Sequence, residues 1–260
     1  MISKPENTII ETRDLCKSFG NKKVLQGIDL SIQKGESLVI IGTSGSGKSV
    51  LIKNIIGLLD PDSGSVRIKG KNVLSLNDKQ RGEFNRKFGM LFQGAALFDS
   101  LPIWENIAFG LMQINGLDRK TAYEQAQKLM AQVGLNPEIA KFYPAELSGG
   151  MQKRVGLARA IATKPEIIFF DEPTTGLDPI MASIIDNLII KNVNELGATA
   201  LTITHDMSSA RRIADNIAMI HEGKIIWNGP VAEINNSGNR VVEQFIHGFP
   251  SGPIETSVAG

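Results

Sequence analysis

Gly42, Gly47, Lys48 and Ser49 stand at the spacing G-x-x-x-x-G-K-S inside the stretch GTSGSGKSV, and Asp171 and Glu172 close the apolar run IIFFDE. Glycines let a loop wrap until successive backbone N–H groups point inward, which suits phosphate oxygens, and a helix opening near Ser49 adds its positive end. In such a loop the lysine, here Lys48, reaches the β- and γ-phosphates of a nucleotide, and the hydroxyl, here Ser49, ligates Mg2+. Thr43, Ser44, Gly45 and Ser46 complete the cradle between the two glycines. A plain glycine turn between two core elements has the same composition, but a strand before the loop and a helix after it favour phosphate. Of the acid pair, Asp171 would hold the Mg2+ shell and Glu172 would face the attacking water as general base. Paired acids at a strand end also occur as a solvated edge; a phosphate loop in the same sheet gives the pair a use.

These residues need a scaffold, and the surrounding sequence supplies one. SLVIIG (37–42) is apolar and β-branched at consecutive positions, as in a strand buried on both faces of a parallel sheet. The glycine loop follows, and SVLIKNIIGLL (49–59) reads as a helix ending at DPDSG. The same grammar returns in EIIFFDEP (166–173) and TALTITHD (199–206), with a helical stretch around Ala182–Leu196 between them. That is an α/β sheet with crossovers. IIETRDLCKSF and VLQGIDLSIQKGE alternate more loosely and predict a small antiparallel β layer. From about Gln93 to Leu157 the texture is helix-rich, as in an inserted helical subdomain spanning 94–157, with the core in 1–93 and 158–230 and an extension over 231–260.

The chain has 260 residues, 42% of them hydrophobic, enough for one sizeable core. A formal charge of +1 announces neither nucleic acid nor an anionic membrane surface as a partner. The single Cys16 excludes an internal disulfide framework and a multi-cysteine metal site. No stretch reaches the roughly 20 apolar residues of a membrane span, and the N-terminus MISKPENTIIETRD has no apolar signal core. The expectation is a chain that stays in the compartment where it is made.

One further stretch narrows the family. LSGGM (147–151), followed by QKRVGLARAI, resembles the signature motif of the ATP-binding cassette (ABC) ATPases, which other phosphate-loop proteins lack. Ser148, Gly149 and Gly150 open a helix whose N-terminus can approach a γ-phosphate. In the family that phosphate belongs to ATP on the opposing subunit, so the resemblance implies a head-to-tail homodimer with two ATP molecules at its interface. It also implies the fold: a P-loop NTPase, RecA-like α/β core with a flanking antiparallel β layer and an inserted α-helical subdomain. Gln93, after GMLF, matches the glutamine that contacts Mg2+ and water. His205 in TITHD matches the switch histidine near the γ-phosphate, whereas His221 and His247 read as surface or turn residues. Asp178 in TTGLDP matches the residue that speaks across the dimer, and Phe19 in KSFG the aromatic that stacks on adenine, with core filler as its plainer reading. Val50 departs from relatives that carry a hydroxyl there; its backbone N–H remains for the α-phosphate.

Only about 100 residues separate loop and signature, too few for the long coiled coil of DNA-maintenance relatives, and one cassette is too few for the translation type. What remains is a transport motor docking on a separate integral-membrane permease, with Phe98, Leu101 and Trp104 suited to the groove that receives it, or else forming subdomain core. MLFQGAALFDSLPIWENIAF and VEQFIHGFPSGPI are similar to the Mla-type cassettes. Those sit on the cytoplasmic side of the bacterial inner membrane and drive phospholipid movement with a permease and an MCE-type lipid-binding subunit. An amino-acid importer is the alternative within the family. A soluble nucleotide kinase is the alternative outside it, and has no use for Ser148–Gly150 or Asp178. In the tail, Val241, Val242, Phe245 and Ile246 make one apolar helix face that must pack on its own domain or on the other subunit.

Overall fold

The computed structural model describes residues 7–255; the first six residues of the N-terminus discussed above, and the tail beyond 255, lie outside them. In chain order the elements begin with β1 (Thr8–Phe19), β2 (Lys22–Gln33), β3 (Ser37–Ile41), α1 (Lys48–Ile55), β4 (Ser63–Ile68) and β5 (Lys71–Asn72). Then come α2 (Asp78–Asn85), β6 (Phe88–Leu91), α3 (Ile103–Gln113), α4 (Arg119–Gln132), α5 (Gly149–Ile161) and β7 (Ile167–Asp171). The chain continues through α6 (Pro179–Leu196), β8 (Thr199–Ile203), α7 (Met207–Ile213), β9 (Asn216–His221), β10 (Lys224–Pro230) and α8 (Arg240–His247). It is an α/β protein, and it divides into two compact units, 1–75 with 203–260, and 76–202.

In the first unit β1 pairs antiparallel with β2 and with β4, in a sheet ordered β2-β1-β4-β5. The loosely alternating segments read above as antiparallel strands are β1 and β2. Beside this layer β3 runs parallel to β9, and β10 returns antiparallel along β9. Every residue of β3 after Ser37 is buried, as a strand covered on both faces requires. The α1 helix ends four residues earlier than its apolar pattern predicts, at Ile55. Gly57, at φ 73°, takes the left-handed C-terminal position, and the Leu58 N–H turns back to the Lys53 carbonyl, so the helix stops before Leu58 and Leu59.

The second unit holds β6 and β7 as a parallel pair, with β8 beyond β7. Its core runs from Ile107 and Met130 through Val155 and Leu157 to Phe170 and Ile185. Helix α2 and strand β6 precede the helix-rich stretch within this unit, and residues of β7, α6 and β8 share its core.

Within the first unit the tail helix α8 seats Val242 and leaves Phe249 55% exposed. Gln244, buried, donates from Nε2 to the carbonyls of Phe249 and Ile254 and accepts the Ile254 N–H at 2.7 Å. The segment FPSGPI is thereby fastened back on its own helix. His247 ends α8 and stacks on Phe249, while His221 ends β9.

Candidate functional site

The first unit carries the phosphate loop. Ile41 ends β3, and Gly42 and Gly47 are both packed where a side chain does not fit: a Cβ on Gly42 would overlap the Ile220 carbonyl, and one on Gly47 would stand 2.9 Å from the Val24 carbonyl. Gly47 also holds φ 108°, a left-handed value that an L side chain resists. Helix α1 opens there with no side-chain cap and no acid in its first turn, which leaves its positive end for an anion. Lys48 is buried, and its ammonium donates to the carbonyls of Gly42 (2.8 Å) and Thr43 (3.0 Å), spanning the loop. Ser46 Oγ is buried without a hydrogen-bond partner among the described residues. Such an atom is expensive unless something polar reaches it, and a phosphate oxygen suits it. Thr43, Ser49 and Val50 are half-buried, and Ser44 and Gly45 are exposed. For Gly47→Ala we expect nucleotide binding at least ~10-fold weaker together with a lower melting temperature, since the methyl must push the loop off Val24 and strain its backbone. Titration with ATP and a thermal melt check both; unchanged affinity would mean the loop does not hold the nucleotide.

Two other predicted residues lie in this unit. The Thr204 N–H donates to the Ile40 carbonyl, so exposed His205 follows a backbone laid beside the end of β3 from which the loop starts. Phe19, at the end of β1, is 49% exposed, with the Lys17 ammonium 5.7 Å from its ring centroid; it is not core filler. Lys17 is held in turn by Asp62 at 2.9 Å. That bond and the Ser18 N–H lower the Asp62 pKa.

The second unit gathers Gln93, Asp171 and Glu172. The parallel register sets Leu91 opposite Phe170, so Gln93, two residues on, lies level with Glu172 at the neighbouring strand end. Glu172 is buried and holds φ 49°, in the left-handed region where only glycine rests without cost. Strain of this kind persists when surrounding groups over-determine it. Here Thr175 Oγ1 donates to Glu172 Oε2 at 2.9 Å, and the Lys153 ammonium donates to the Glu172 carbonyl at 3.2 Å and to the Gln93 carbonyl. Burial lowers the Lys153 pKa, and the charges of Asp171 and Glu172 act the other way. The Gln93 side chain is exposed and Asp171 half-buried.

At the start of α5, Ser148 is the N-cap and accepts the Met151 N–H at 3.4 Å. Asp178 caps α6, accepting the N–H groups of Ile180 and Met181 at 3.0 Å each. The two helix starts lie together: a Cβ on Gly150 would stand 2.8 Å from Met181 Cε. Gly149 differs, since a Cβ there would meet nothing within 4 Å.

One expectation is corrected. Trp104 is not exposed: it points inward with Ile107, Ala108 and Leu111 at helical spacing, edge-on to Tyr123, under the Arg119 guanidinium. Leu101 is half-buried, and the open apolar surface is instead Phe98 with Phe109, their ring centroids 4.8 Å apart. Asn106, fully buried, fixes the approach to it by bonding Phe98 at both N–H and carbonyl.

Ser49, Gln93 and Asp171 offer a hydroxyl, an amide oxygen and a carboxylate, all hard oxygen donors fit for Mg2+. Among the described residues no three His, Cys, Asp or Glu side chains form a group that could hold a metal ion. No helix among them is long and apolar enough to cross a membrane.

Known proteins match this arrangement. The family model described as ABC transporter matches residues 25–175. The protein trigalactosyldiacylglycerol 3, chloroplastic, of Arabidopsis thaliana is 38% identical over 97% of this chain and 77% of its own length. A probable ribonucleotide transport ATP-binding protein, mkl, of Mycobacterium bovis is 39% identical over 97% of this chain and 70% of its own. Among solved structures, the dimeric post-hydrolysis state of the ATP-binding cassette MJ0796 bound to ADP and Pi superposes with a TM-score of 0.79 at 30% identity, covering 86% of this chain and 99% of that one. On these matches the chain belongs to the ABC transporter family as an ATP-hydrolysing subunit.

Proposed function

We propose that two copies of this chain, arranged head to tail, hydrolyse ATP at composite sites to move phospholipid through a separate membrane permease. The phosphate loop, Gly42 to Val50, takes the ATP phosphates, and the exposed Phe19 ring takes the adenine. Ser49, Asp171 and Gln93 are the residues to hold Mg2+, which when bound neutralises charge on the β- and γ-phosphates. Glu172 accepts a proton from the attacking water, and His205 stands by the γ-phosphate.

The observation that carries the two-copy reading is Gly149. Among the described residues a Cβ on Gly149 would meet nothing within 4 Å, so the space beside it is open to a γ-phosphate approaching the α5 N-terminus from another copy. Phe98 and Phe109 supply the apolar contact for the permease. Support for the lipid comes from the stretch MLFQGAALFDSLPIWENIAF around Gln93 and from the plastid relative, whose name specifies a galactolipid. An MCE-type lipid-binding subunit and a place on the cytoplasmic face of the inner membrane belong to the same reading. The mkl relative, named for ribonucleotides, sets the competing outcome. Purification from membranes with whatever subunits accompany the chain, followed by reconstitution into phospholipid vesicles, tests it. Hydrolysis stimulated by phospholipid and indifferent to added ribonucleotide is expected; stimulation by ribonucleotide alone would overturn the lipid assignment.

The tail fits this assembly. Gln244 fastens FPSGPI so that Phe249 faces outward, a shape suited to a second subunit. Deleting the residues after Gln244 is therefore expected to weaken self-association more than ATP binding by isolated chains. Equilibrium sedimentation of full-length and truncated chains decides it: equal association would mean that the tail serves only its own subunit.

A further inference from the structure

A lysine sits where α5 should present an apolar residue. Gly150, Lys153, Leu157 and Ala160 follow one another at helical spacing and are all buried, with Lys153 only 6% exposed. Among the described residues its ammonium bonds no carboxylate. It donates to two backbone carbonyls, those of Gln93 and Glu172, which are level with each other at the ends of the parallel strands β6 and β7. A buried charge is costly unless fully engaged, so a methionine of similar length would suit this position better if packing were its purpose.

We propose that Lys153 is a positioning residue for ATP hydrolysis, tying the Gln93 loop to the Glu172 strand end so that the two side chains meet one water. This rests on the assignment of Glu172 and Gln93 made above. The loop demands such a tie. Ala95 and Ala96, which follow it, both hold left-handed backbones, at φ 58° and 46°, and Arg159 from the same helix donates to both carbonyls. Glu172 is left-handed as well, and Lys153 bonds the carbonyl that this twist turns toward α5. Without that bond the Glu172 peptide can relax toward an ordinary backbone, and its carboxylate swings with it. Two cations of α5, Lys153 and Arg159, therefore hold the segment from Gln93 to Ala96, and of these Lys153 also bonds the Glu172 carbonyl.

The test uses the full chain and steady-state ATP hydrolysis. Lys153→Met keeps the volume and removes the charge and donors; we expect kcat to fall at least ~10-fold with the KM for ATP within about twofold and the melting temperature close to that of the parent. Lys153→Arg, which keeps a cation able to donate to both carbonyls, should recover most of kcat. Lys153→Gln keeps a donor without charge and serves if the methionine variant melts early. Parental kcat in Lys153→Met, or in Lys153→Gln where that variant is used, overturns the proposal, as does a kcat that falls only in step with melting temperature and KM. Glu172→Gln is the reference. If it retains parental turnover, the assignment of the base falls and the Lys153 proposal with it; if it is inactive while Lys153→Met is fully active, only the Lys153 proposal falls.

Discussion

Glu172→Gln is expected to bind ATP as the parent chain does and to hydrolyse it about a hundredfold more slowly or worse. The substitution is nearly isosteric, and its remaining carbonyl oxygen can still accept from Thr175 Oγ1, so the left-handed backbone at 172 keeps its supports. What disappears is the negative charge and the capacity to take a proton from water. The nucleotide affinity proposed above rests on Lys48, the bare backbone from Gly42 to Gly47 and the uncapped start of α1, none of which the substitution touches. ATP therefore stays bound and unhydrolysed, and the dimer it bridges should accumulate. Sizing chromatography with ATP and Mg2+ follows the dimer, and phosphate release follows turnover. A variant that stays monomeric, or turns over at the parental rate, removes Glu172 from the role of base.

The residues behind that prediction were legible because their chemistry is local. A phosphate loop needs glycine at fixed spacing, and both Gly42 and Gly47 prove to be sites where a Cβ collides with backbone. The strands that deliver them are equally plain, since β3, β7 and β8 are short apolar runs buried almost throughout. Pattern fails where burial is partial or contacts are distant in sequence. The β6 strand, FGML, alternates buried and half-buried residues beside charged neighbours, and the sequence does not mark it as a strand of the core. The early stop of α1 depends on one glycine, Gly57, with apolar Leu58 and Leu59 continuing the helical pattern past it. Trp104 reads as an exposed anchor until the phase of α3 is known. Lys153 is the instructive case: in QKRVGL it looks like one cation of a solvated face, yet its register with Gly150 and Leu157 places it inside. A lysine in an apolar register is the signal that sequence offers, and its meaning depends on carbonyls 60 and 19 residues away.

Ser148→Arg is expected to leave the ATP affinity of isolated chains within about threefold while hydrolysis falls on the order of 10²-fold, the size of effect seen when a transition-state donor is lost. Ser148 is exposed, and its capping bond to Met151 is long, at 3.4 Å, so an exposed arginine costs the α5 helix only about 1 kcal/mol of capping. The chain's own phosphate loop keeps its lysine and its backbone. The damage falls on the neighbour: a bulky guanidinium occupies the helix N-terminus that must approach the γ-phosphate held by another copy. Mixing then separates the cis reading from the trans one. A chain carrying Ser148→Arg has a sound loop and a spoiled signature, whereas one carrying Lys48→Ala has a spoiled loop and a sound signature. Head-to-tail pairing of the two builds one site in which both halves are intact, and the mixture should regain hydrolysis that neither variant shows alone. If each site were completed within a single chain, no mixture would contain an intact one. Absence of rescue in a mixture shown by sedimentation to form mixed dimers would therefore end the trans reading of Ser148, Gly149 and Gly150.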